Sequence, residues 1–437
     1  MKKIAITLIV VCLISLVKAN NYYVTTVADT GQGSLRAAID SANARAGLDS
    51  ITINLTPFDT IKPLTLPYYV NDSLVITAGF CKNVTIAADS DIYGPGFWAD
   101  TFLVVNNINM MGFHCSSGDA SSGAAIQGAT YLVLNNCFFY GNHADEEGLL
   151  AGPGSGGAVN AGNVYANNCT FYNNGSGGNC SETNYGGAIC ATYGQIYNCT
   201  FYRNYTYSNI GTAVALLYAG IVHHCIFYQN TGYGGALFVG SNTVDSLGIS
   251  NNIFWSDSAT AQYPTEIAYF DTALSGGCNV IADSGATTLF TLAPTDVSGL
   301  DPQFGPLAYY AYCVPTLPIN NAAVRAVFDS CPVPIDTTTT GLPQRPNQPL
   351  LLSLYPNPVT SNSFQLAVTL PGNYGNTGFA VQIFDEQGRL VSTPVIPSAT
   401  TGSNQFNSEI PFTAAAGVYF LRLSYAGGSV MRKLVKM

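Results

Sequence analysis

The sequence predicts an all-β protein in which a parallel β-helix, or solenoid, is followed by a small C-terminal β-sandwich. Three observations carry this prediction. A motif rich in asparagine and aromatic residues recurs five times through the centre of the chain, once in decayed form. Only 9% of the 437 residues are charged. Alternating apolar segments, typical of strands, reappear after a stretch rich in proline and threonine near the C-terminus.

The composition excludes several classes of protein. The chain has 15 basic and 25 acidic residues and a net charge of -10. A long coiled coil needs abundant Glu, Lys and Arg, and a disordered chain needs low hydrophobicity, whereas 47% of these residues are hydrophobic. A nucleic-acid partner is not expected, because the chain lacks a basic excess. The length favours two or three domains.

Residues 1–19 have the features of a secretory signal peptide. Lys2 and Lys3 precede an apolar run of 14 residues, which is shorter than the roughly 20 residues of a membrane span. Cleavage after Ala19 would remove one of the 12 cysteines and leave 11, an odd number that requires at least one unpaired thiol in the monomer. No later segment is apolar enough to predict a transmembrane segment.

Two motifs alternate through the centre of the chain. The first reads Asn-Asn-Cys-Phe-Phe-Tyr-Gly-Asn at 135–142 and recurs at 167–174, 197–204 and 223–230, with a decayed copy at 251–258. The second, of the type Gly-Gly-Ala-aliphatic, precedes each copy and is expected to mark a tight corner. Short strands and turns that repeat every 26 to 32 residues predict a solenoid whose coils stack as parallel strands.

Stacked coils place equivalent residues about 4.8 Å apart, so each repeat position should form a ladder. Asparagine side chains after the strand can hydrogen-bond from coil to coil. The predicted asparagine ladder is Asn142, Asn174, Asn204 and Asn230. The predicted interior ladders are Cys137, Cys169, Cys199, Cys225 and Ile253 in one column, and Phe139, Phe171, Phe201, Phe227 and Trp255 in the other.

The cysteine ladder is open to more than one interpretation. Free cysteine behaves as a small buried hydrophobe, and this is the favoured interpretation. A disulfide between adjacent coils is also compatible with the spacing. A metal site is disfavoured, because no Cys-x-x-Cys pair or histidine cluster accompanies the ladder. Cys313 and Cys331 lie outside the repeats and are a candidate disulfide pair.

The N-terminal part resembles bacterial right-handed parallel β-helix surface proteins, including the chlamydial polymorphic outer-membrane proteins. The resemblance rests on a strand followed by Gly-Ser-Leu-Arg-Ala-Ala-Ile at 33–39, and on segments at 278–281 and 301–308 similar to choice-of-anchor domains. It implies a right-handed parallel β-helix over residues 20–331. Ser34 can cap a helix whose apolar stripe would cover the open end of the solenoid, the stripe being Leu35, Ala38, Ile39 and Ala42.

Residues 332–349 form a proline- and threonine-rich linker between two parts of opposite charge. Residues 20–341 carry 6 basic and 22 acidic residues, whereas residues 342–437 carry 6 basic and 3 acidic residues. The net charge therefore changes from -16 to +3. We expect a separate domain over residues 350–437.

Four motifs occur in order in this last part, at 354–359, 381–391, 417–423 and 432–436. Together they resemble the type IX secretion C-terminal sorting domain of Bacteroidota. The resemblance implies a small β-sandwich bound by the type IX secretion translocon. The resemblance also implies that the passenger, after transport, is either attached to surface lipopolysaccharide or released. The expected location is therefore the cell surface or the medium, reached by way of the periplasm. The residues that carry the motifs are Tyr355, Pro356, Asn357, Pro358, Gly417, Tyr419, Arg432 and Lys433.

A catalytic site is not evident from the sequence. Parallel β-helices of the pectin-lyase-like type include polysaccharide lyases and glycoside hydrolases, and glycosidases need two carboxylates about 5 to 9.5 Å apart. No repeat position supplies such a pair, and the acidic run 145–147 is the one calcium candidate. We predict no catalytic residue, no cofactor and no metal, with a carbohydrate-active enzyme as the alternative function.

Adhesion or ligand binding is the favoured function, and the strand alternation directs one tyrosine of each repeat outward. A stacked aromatic surface could bind a glycan, or a protein of a host or neighbouring cell. The alternative interpretation is that the rings only stack on each other and protect the sheet. The candidate binding residues are Tyr140, Tyr172, Tyr202, Tyr228 and Arg203.

Overall fold

The computed structural model of the chain forms two compact units that divide between residues 336 and 337. Each unit is described separately. The described residues are 20–89, 91–115, 122–146, 155–178, 185–206, 211–232, 234–240, 247–257, 267–269, 273–282, 290–309, 314–330, 351–355, 359, 361–369, 379–385, 390–394, 405–425 and 428–436.

The first unit consists of short strands with one helix near each end. Its first half contains β1 (Asn21–Val24), α1 (Leu35–Asn43), β2 (Asp49–Ile53), β3 (Thr60–Ile61), β4 (Tyr68–Val70), β5 (Leu74–Ala78), β6 (Val84–Ala87), β7 (Phe97–Ala99), β8 (Phe102–Asn106), β9 (Ile108–Met111), β10 (Ile126–Gln127), β11 (Tyr131–Asn135), β12 (Phe138–Tyr140) and β13 (His143–Glu146). Its second half contains β14 (Val159–Asn167), β15 (Thr170–Tyr172), β16 (Gly175–Gly178), β17 (Ile189–Tyr197), β18 (Thr200–Tyr202), β19 (Tyr205–Thr206), β20 (Val214–His223), β21 (Ile226–Tyr228), β22 (Leu237–Val239), β23 (Leu247–Ser250), β24 (Ile253–Trp255), β25 (Ile267–Tyr269), β26 (Ala273–Leu274), β27 (Val280–Ile281), β28 (Phe290–Thr291), β29 (Val297–Ser298) and α2 (Ala322–Ser330).

These strands stack coil upon coil in parallel. The first sheet follows the order β1-β2-β5-β8-β11-β14-β17-β20-β22-β25, and the second follows β29-β27-β24-β21-β18-β15-β12-β9-β6-β3. A third, short sheet contains β13, β16 and β19. Equivalent residues pair directly, as Phe139 does with Phe171 and Phe171 does with Phe201. The predicted parallel β-helix is therefore confirmed.

Helix α1 closes one end of the core, as its apolar stripe predicts. The Ser34 side chain accepts a hydrogen bond from the Ala37 N–H and caps the helix. The helix contacts β1, β2 and β4. All four stripe residues are buried in the main core, namely Leu35, Ala38, Ile39 and Ala42.

The arginine of the Gly-Ser-Leu-Arg motif holds this cap in place. Arg36 donates two hydrogen bonds of 3.1 Å to the carboxylate of Asp29, which is 4% exposed. The same carboxylate accepts bonds from the Tyr68 hydroxyl and the Leu64 N–H. Burial alone would raise the pKa of Asp29, but these bonds hold it below its usual value.

The glycine pairs mark corners, as predicted. The first glycine of the pair in the copy at 155–159 is Gly156, with φ of +66°. A Cβ atom there would lie 1.9 Å from the Val159 carbonyl oxygen, so both the backbone conformation and the space require glycine. Equivalent glycines with positive φ are Gly123, Gly186 and Gly211, whereas in the last copy it is the second glycine, Gly235, that has a positive φ.

The interior cysteines are free thiols. Each thiol of the ladder lies 3.1 to 3.4 Å from the carbonyl oxygen two residues before it. Burial raises the pKa of Cys137, Cys169 and Cys199 well above the usual thiol value, which keeps them protonated. The favoured interpretation, buried apolar packing, is confirmed. In the described part of the chain, the buried cysteines that form no disulfide are Cys115, Cys137, Cys169, Cys190, Cys199 and Cys225.

The predicted register of the decayed copy is wrong by one residue. Phe227 pairs with Phe254 and Tyr228 with Trp255, so Trp255 continues the tyrosine column and not the phenylalanine column. Asn252, not Ile253, takes the place below Cys225, whose N–H it accepts at 3.0 Å. The phenylalanine rings stack 4.7 to 5.0 Å apart along the corrected column of Phe139, Phe171, Phe201, Phe227 and Phe254.

The predicted asparagine ladder is confirmed, and it is fully buried. Asn204 donates its side-chain N–H groups to the Asn230 side-chain oxygen at 3.0 Å and to the Phe171 carbonyl oxygen at 2.9 Å. Its own side-chain oxygen accepts from the backbone and side-chain N–H groups of Asn174. The corrected register extends this ladder to Asp257, which accepts twice from Asn230. Oδ1 of Asp257 takes both of these bonds, and its buried Oδ2 has no hydrogen-bond partner among the described residues.

Burial raises the pKa of Asp257 to about 7, and this makes a pH effect testable. The ordinary pKa of the aspartate side chain is 3.8. Between pH 3.8 and about 7, the folded chain therefore holds the proton of the Asp257 carboxyl group more tightly than the unfolded chain does. The contribution of protonated Asp257 to the stability of the fold is therefore complete at low pH, and it is lost as the pH rises through 7. Asp257→Asn keeps the acceptor for Asn230 without a charge. We expect it to exceed wild-type stability above pH 7 by on the order of 2 kcal/mol, but not near pH 4.

Thermal unfolding at pH 4.5 and pH 8 measures this difference. Exposed Asp301 supplies the matched control, because Asp301→Asn should leave the pH dependence of the wild type unchanged. The same pH slope in wild type and Asp257→Asn would contradict the prediction.

Residues 300–309 and 314–330, here called the strap, pack on the outer face of the second sheet. The Phe304 ring lies 4.8 Å from that of Tyr228, and Tyr309 hydrogen-bonds the side chain of Asn109 in β9. The strap then returns, since Ala308 and Thr316 form an antiparallel bridge. Along this return, Thr316 bonds Thr200 at 3.0 Å, and α2 ends the strap.

The second unit has the two antiparallel sheets expected of a β-sandwich. Its sheets have the orders β30-β31-β34 and β33-β32-β35-β36, and both contribute to one core, for example through Leu366 and Leu421. Its strands are β30 (Leu351–Tyr355), β31 (Ser363–Thr369), β32 (Phe379–Asp385), β33 (Leu390–Ser392), β34 (Gln405–Pro411), β35 (Gly417–Tyr425) and β36 (Gly428–Lys436).

Candidate ligand-binding site

The outward tyrosines stack on successive coils of the second sheet. Ring centroids are 5.1 Å apart between Tyr140 and Tyr172, and also between Tyr172 and Tyr202. The next step, from Tyr202 to Tyr228, is 5.4 Å. The rings are nearly parallel because each tyrosine follows the inward phenylalanine of an in-register strand.

The strap covers one end of this tyrosine ladder. Tyr202 and Tyr228 pack against an apolar cluster to which the strap contributes Leu317 and Phe328. Tyr140, at the other end, is 36% exposed. Tyr202 and Tyr228 therefore fit the interpretation in which the rings protect the sheet. The part of the ladder that is open to solvent lies toward Tyr140.

A polar groove of about 420 Å³ runs along the corner that follows the tyrosines. Four of its lining residues come directly after the outward aromatic residue of their coil, and their φ angles lie between 53° and 55°. Such left-handed residues turn the chain from the second sheet into the third, so their side chains form a column of their own. The lining residues are Asn173, Arg203, Tyr205, Gln229, Thr231 and Ser256.

Two contacts position Arg203 in this groove. Its Nε donates a 3.0 Å hydrogen bond to the Gln229 side-chain oxygen. Its guanidinium carbon lies 5.0 Å from the centre of the Tyr202 ring, a cation–π contact. Gln229 accepts from one of the five N–H donors of the Arg203 guanidinium. The remaining N–H groups lie in one plane and can donate to an acceptor in the groove.

Tyr205 connects the groove to a pair of stacked histidines. Its hydroxyl lies 2.7 Å from Nδ1 of His143, whose ring stacks on that of His114 at 4.9 Å. Burial, together with the neighbouring His114, lowers the pKa of His143 to about 4. His143 is therefore neutral at physiological pH, and the tyrosine hydroxyl stays fixed at the groove wall.

Sequence reasoning identified Arg203 but missed the other five residues of the groove. A signal was present, because Asn173, Arg203, Gln229 and Ser256 share one position between the outward aromatic residue and the ladder asparagine or aspartate. That position varies in chemistry from coil to coil, which distinguishes it from the uniform interior ladders.

The acidic run 145–147 is the calcium candidate from the sequence, and its side chains lie outside the described part of the chain. Asp145 and Glu146 belong to β13 in the third sheet, and Glu147 lies outside the described residues. Among the described residues, no three His, Cys, Asp or Glu side chains cluster closely enough to hold a metal ion. Cys313 and Cys331 lie outside the described residues, so their disulfide stays a prediction.

The sorting-motif residues lie at strand ends and in the last strand of the second unit. Tyr355 ends β30, Gly417 begins β35, and the residues at 356–358 lie outside the described part. Tyr419 is buried, donates to the Ala415 carbonyl oxygen at 2.8 Å and meets the Phe412 ring edge-on. The backbones of Arg432 and Lys433 pair with β35 opposite Leu421 and Phe420.

Comparison with protein families matches residues 353–437 to the secretion system C-terminal sorting domain. No curated protein and no solved structure matches the chain. Neither helix in the described part is long and apolar enough to cross a membrane. The match indicates export by the type IX secretion machinery to the cell surface or beyond. The chain is thus a parallel β-helix protein that carries a type IX sorting domain at its C-terminus.

Proposed function

We propose that the β-helix acts outside the cell in adhesion or ligand binding, and that the groove around Arg203 binds the ligand. The ligand is a glycan or a protein of a host or neighbouring cell. The observation that carries the proposal is the groove itself, in which a preorganised guanidinium stands among neutral hydrogen-bonding side chains. Concave sites with a few fixed polar groups are typical of ligand pockets.

The chemistry of the lining supports a polar, oxygen-rich ligand. Amides at Asn173 and Gln229 both donate and accept, and Thr231 and Ser256 add hydroxyl groups. Arg203 adds a positive charge that favours a carboxylate or sulfate group. None of the lining residues that the structure describes is acidic, which favours an anionic ligand over a cationic one.

Arg203→Ala should weaken binding to a panel of immobilised neutral and anionic polysaccharides. We expect about a tenfold loss of affinity, or roughly 1.4 kcal/mol, because the bidentate donor is removed. Tyr205→Phe should weaken binding less. Tyr218→Ala is the matched control, since Tyr218 is 59% exposed on the first sheet and outside the groove. Equal affinities of wild type and Arg203→Ala would contradict the proposal.

The same panel distinguishes the alternative function. A carbohydrate-active enzyme would release shortened products from a polysaccharide, whereas a binding protein would retain the intact polymer. Product release that Arg203→Ala abolishes would make the groove an active site and overturn the binding proposal.

We further propose that residues 1–19 direct the chain through the Sec pathway to the periplasm, and that residues 332–349 link the passenger to its sorting domain. The apolar run behind Lys2 and Lys3 supports the first step. The passenger would then be attached to surface lipopolysaccharide or released. Mass spectrometry of the mature chain, with an N-terminus at Asn20, tests the cleavage.

A further inference from the structure

Gly175 lies in β16, between two aromatic residues of the third sheet. The in-register pairing places it next to His143 of β13 on one side and next to Tyr205 of β19 on the other. Neighbouring strands are about 4.8 Å apart, so the backbones of His143 and Tyr205 are separated by about 9.6 Å. The Tyr205 hydroxyl nevertheless lies 2.7 Å from Nδ1 of His143. The tyrosine side chain therefore crosses over the backbone of Gly175.

The missing side chain at Gly175 gives the tyrosine ring this path. A Cβ atom on Gly175 would meet Cζ, Cε2 and the hydroxyl oxygen of Tyr205, all within 2.6 Å. A favourable contact between carbon atoms needs about 3.5 to 4.0 Å. The φ angle of Gly175 is not in the left-handed region, so its backbone conformation would accept alanine. The requirement for glycine therefore comes from the ring of Tyr205.

Other glycines of the repeats are constrained in a different way. A Cβ atom on Gly157 or on Gly187 would meet carbonyl groups of the backbone, which belong to the sheets and cannot turn aside. At Gly175 the three nearest atoms all belong to one side chain. Removal of that side chain should make alanine acceptable at Gly175, so the dependence of this glycine on Tyr205 can be tested.

The other neighbour of Tyr205 in this column is a residue of the groove. Thr231 forms a parallel bridge with Tyr205, and both residues line the groove. Arg203, the cation of the groove, is two residues before Tyr205 on the same coil. A ring that leans over Gly175 leans away from Thr231. A ring displaced from Gly175 would move into solvent or toward Thr231 and Arg203, and the second movement would narrow the groove.

We propose that Gly175 and His143 are positioning residues of the groove, which hold the Tyr205 ring back from Arg203 and Thr231 and so keep the groove open to its ligand. Gly175 supplies the space for the ring, and His143 supplies the hydrogen bond that fixes the hydroxyl. The rings of Tyr205 and His143 are 5.6 Å apart. This inference rests on the proposed function of the groove, but the position of the ring can be tested without a ligand.

NMR titration of the His143 ring in the full-length protein tests the position of Tyr205. Burial is the main cause that lowers the pKa of His143 to about 4, and the Tyr205 ring packs against this histidine. Gly175→Ala should displace the ring, expose His143 and raise its pKa toward the ordinary value of 6.5. Gly248→Ala is the matched control, because a Cβ atom there meets Ile221 at an ordinary 3.6 Å. An unchanged His143 pKa in Gly175→Ala would overturn the proposal.

A double-mutant cycle tests whether Gly175 is required by Tyr205 alone. Gly175→Ala should lower the midpoint of thermal unfolding in the wild-type chain. The same substitution should have little effect in a Tyr205→Ala chain, because the atoms that a Cβ would meet are then absent. Equal losses in the two chains would mean that the backbone requires glycine at this position, and would refute the assigned role of Gly175.

Binding to the panel of immobilised polysaccharides then measures the effect on the groove. Gly175→Ala should lower the affinity about tenfold, as Arg203→Ala does, because the displaced ring obstructs the guanidinium. Addition of Tyr205→Ala to the same chain should recover part of this affinity. A raised His143 pKa with unchanged affinity would show that the ring does not control the groove, and would overturn the proposal. Absence of binding by the wild type would instead remove the proposed function, while the titration and the cycle would still decide where the ring lies.

Discussion

Asn204→Ala is expected to lower the free energy of unfolding of the β-helix by on the order of 4 kcal/mol. The substitution removes the acceptor of two buried Asn174 N–H groups and both donors of Asn204 itself. The Phe171 carbonyl oxygen loses one of its donors as well. In the native structure these groups are shielded from solvent, because Asn204 is 0% exposed. Each buried polar group left unpaired costs about 1 to 3 kcal/mol.

Urea unfolding followed by intrinsic tyrosine fluorescence measures this loss. Asn163→Ala is the matched control, since that side chain makes a single 3.0 Å bond to the Thr130 carbonyl oxygen on the outer surface. We expect less than about 1 kcal/mol for it. Similar losses for the two variants would mean that the buried ladder contributes no more than an ordinary surface bond.

The ladders could be predicted because a solenoid repeats its interior at fixed positions. A residue at one position of a copy stacks on the residue at the same position of the next copy, as Phe139 does on Phe171. Aligning the copies therefore predicts each whole column. The prediction failed where the decayed copy has two successive asparagines. Asn251 takes the left-handed corner and Asn252 the cysteine position, so the sequence supports two alignments that differ by one residue. Asp257 was missed for the same reason.

The strap could not be predicted, because its contacts are long-range and have no period. Its bond from Thr316 reaches Thr200, 116 residues earlier, and its Pro315 carbonyl oxygen accepts from Thr170, 145 residues earlier. Its apolar residues follow neither a helical nor a strand pattern before α2. The exposure of the tyrosine ladder depends on this segment, so the sequence alone could not say which tyrosines are open.

The low charge of the passenger has a physical cause in the stacked coils. Two like charges at the 4.8 Å coil spacing would repel by about 0.9 kcal/mol even in water. Arg203 occurs in a column whose neighbours are Asn173 and Gln229, both neutral. A single charge in a repeated column avoids this repulsion, whereas a carboxylate repeated from coil to coil would incur it at every step. Arg203 is the one cation among the lining residues that the structure describes.

Deletion of residues 350–437 is expected to abolish surface display and retain the passenger in the periplasm. The deletion removes the whole segment that matches the sorting domain, which is the part that the type IX machinery reads. The second unit has its own core, so its removal should leave the β-helix folded. Failure of export would then reflect loss of the signal and not misfolding.

Cell fractionation with surface proteolysis measures the effect, and circular dichroism of the periplasmic passenger checks its fold. Deletion of residues 332–349 alone is the control, because it leaves the matched segment 353–437 intact and should permit export. Transfer of residues 332–437 to an unrelated periplasmic protein should export that protein, because this segment contains the whole match to the sorting domain. Display of the truncated passenger at the surface would show that the β-helix itself carries a sufficient signal, and would remove the assigned role of the sorting domain.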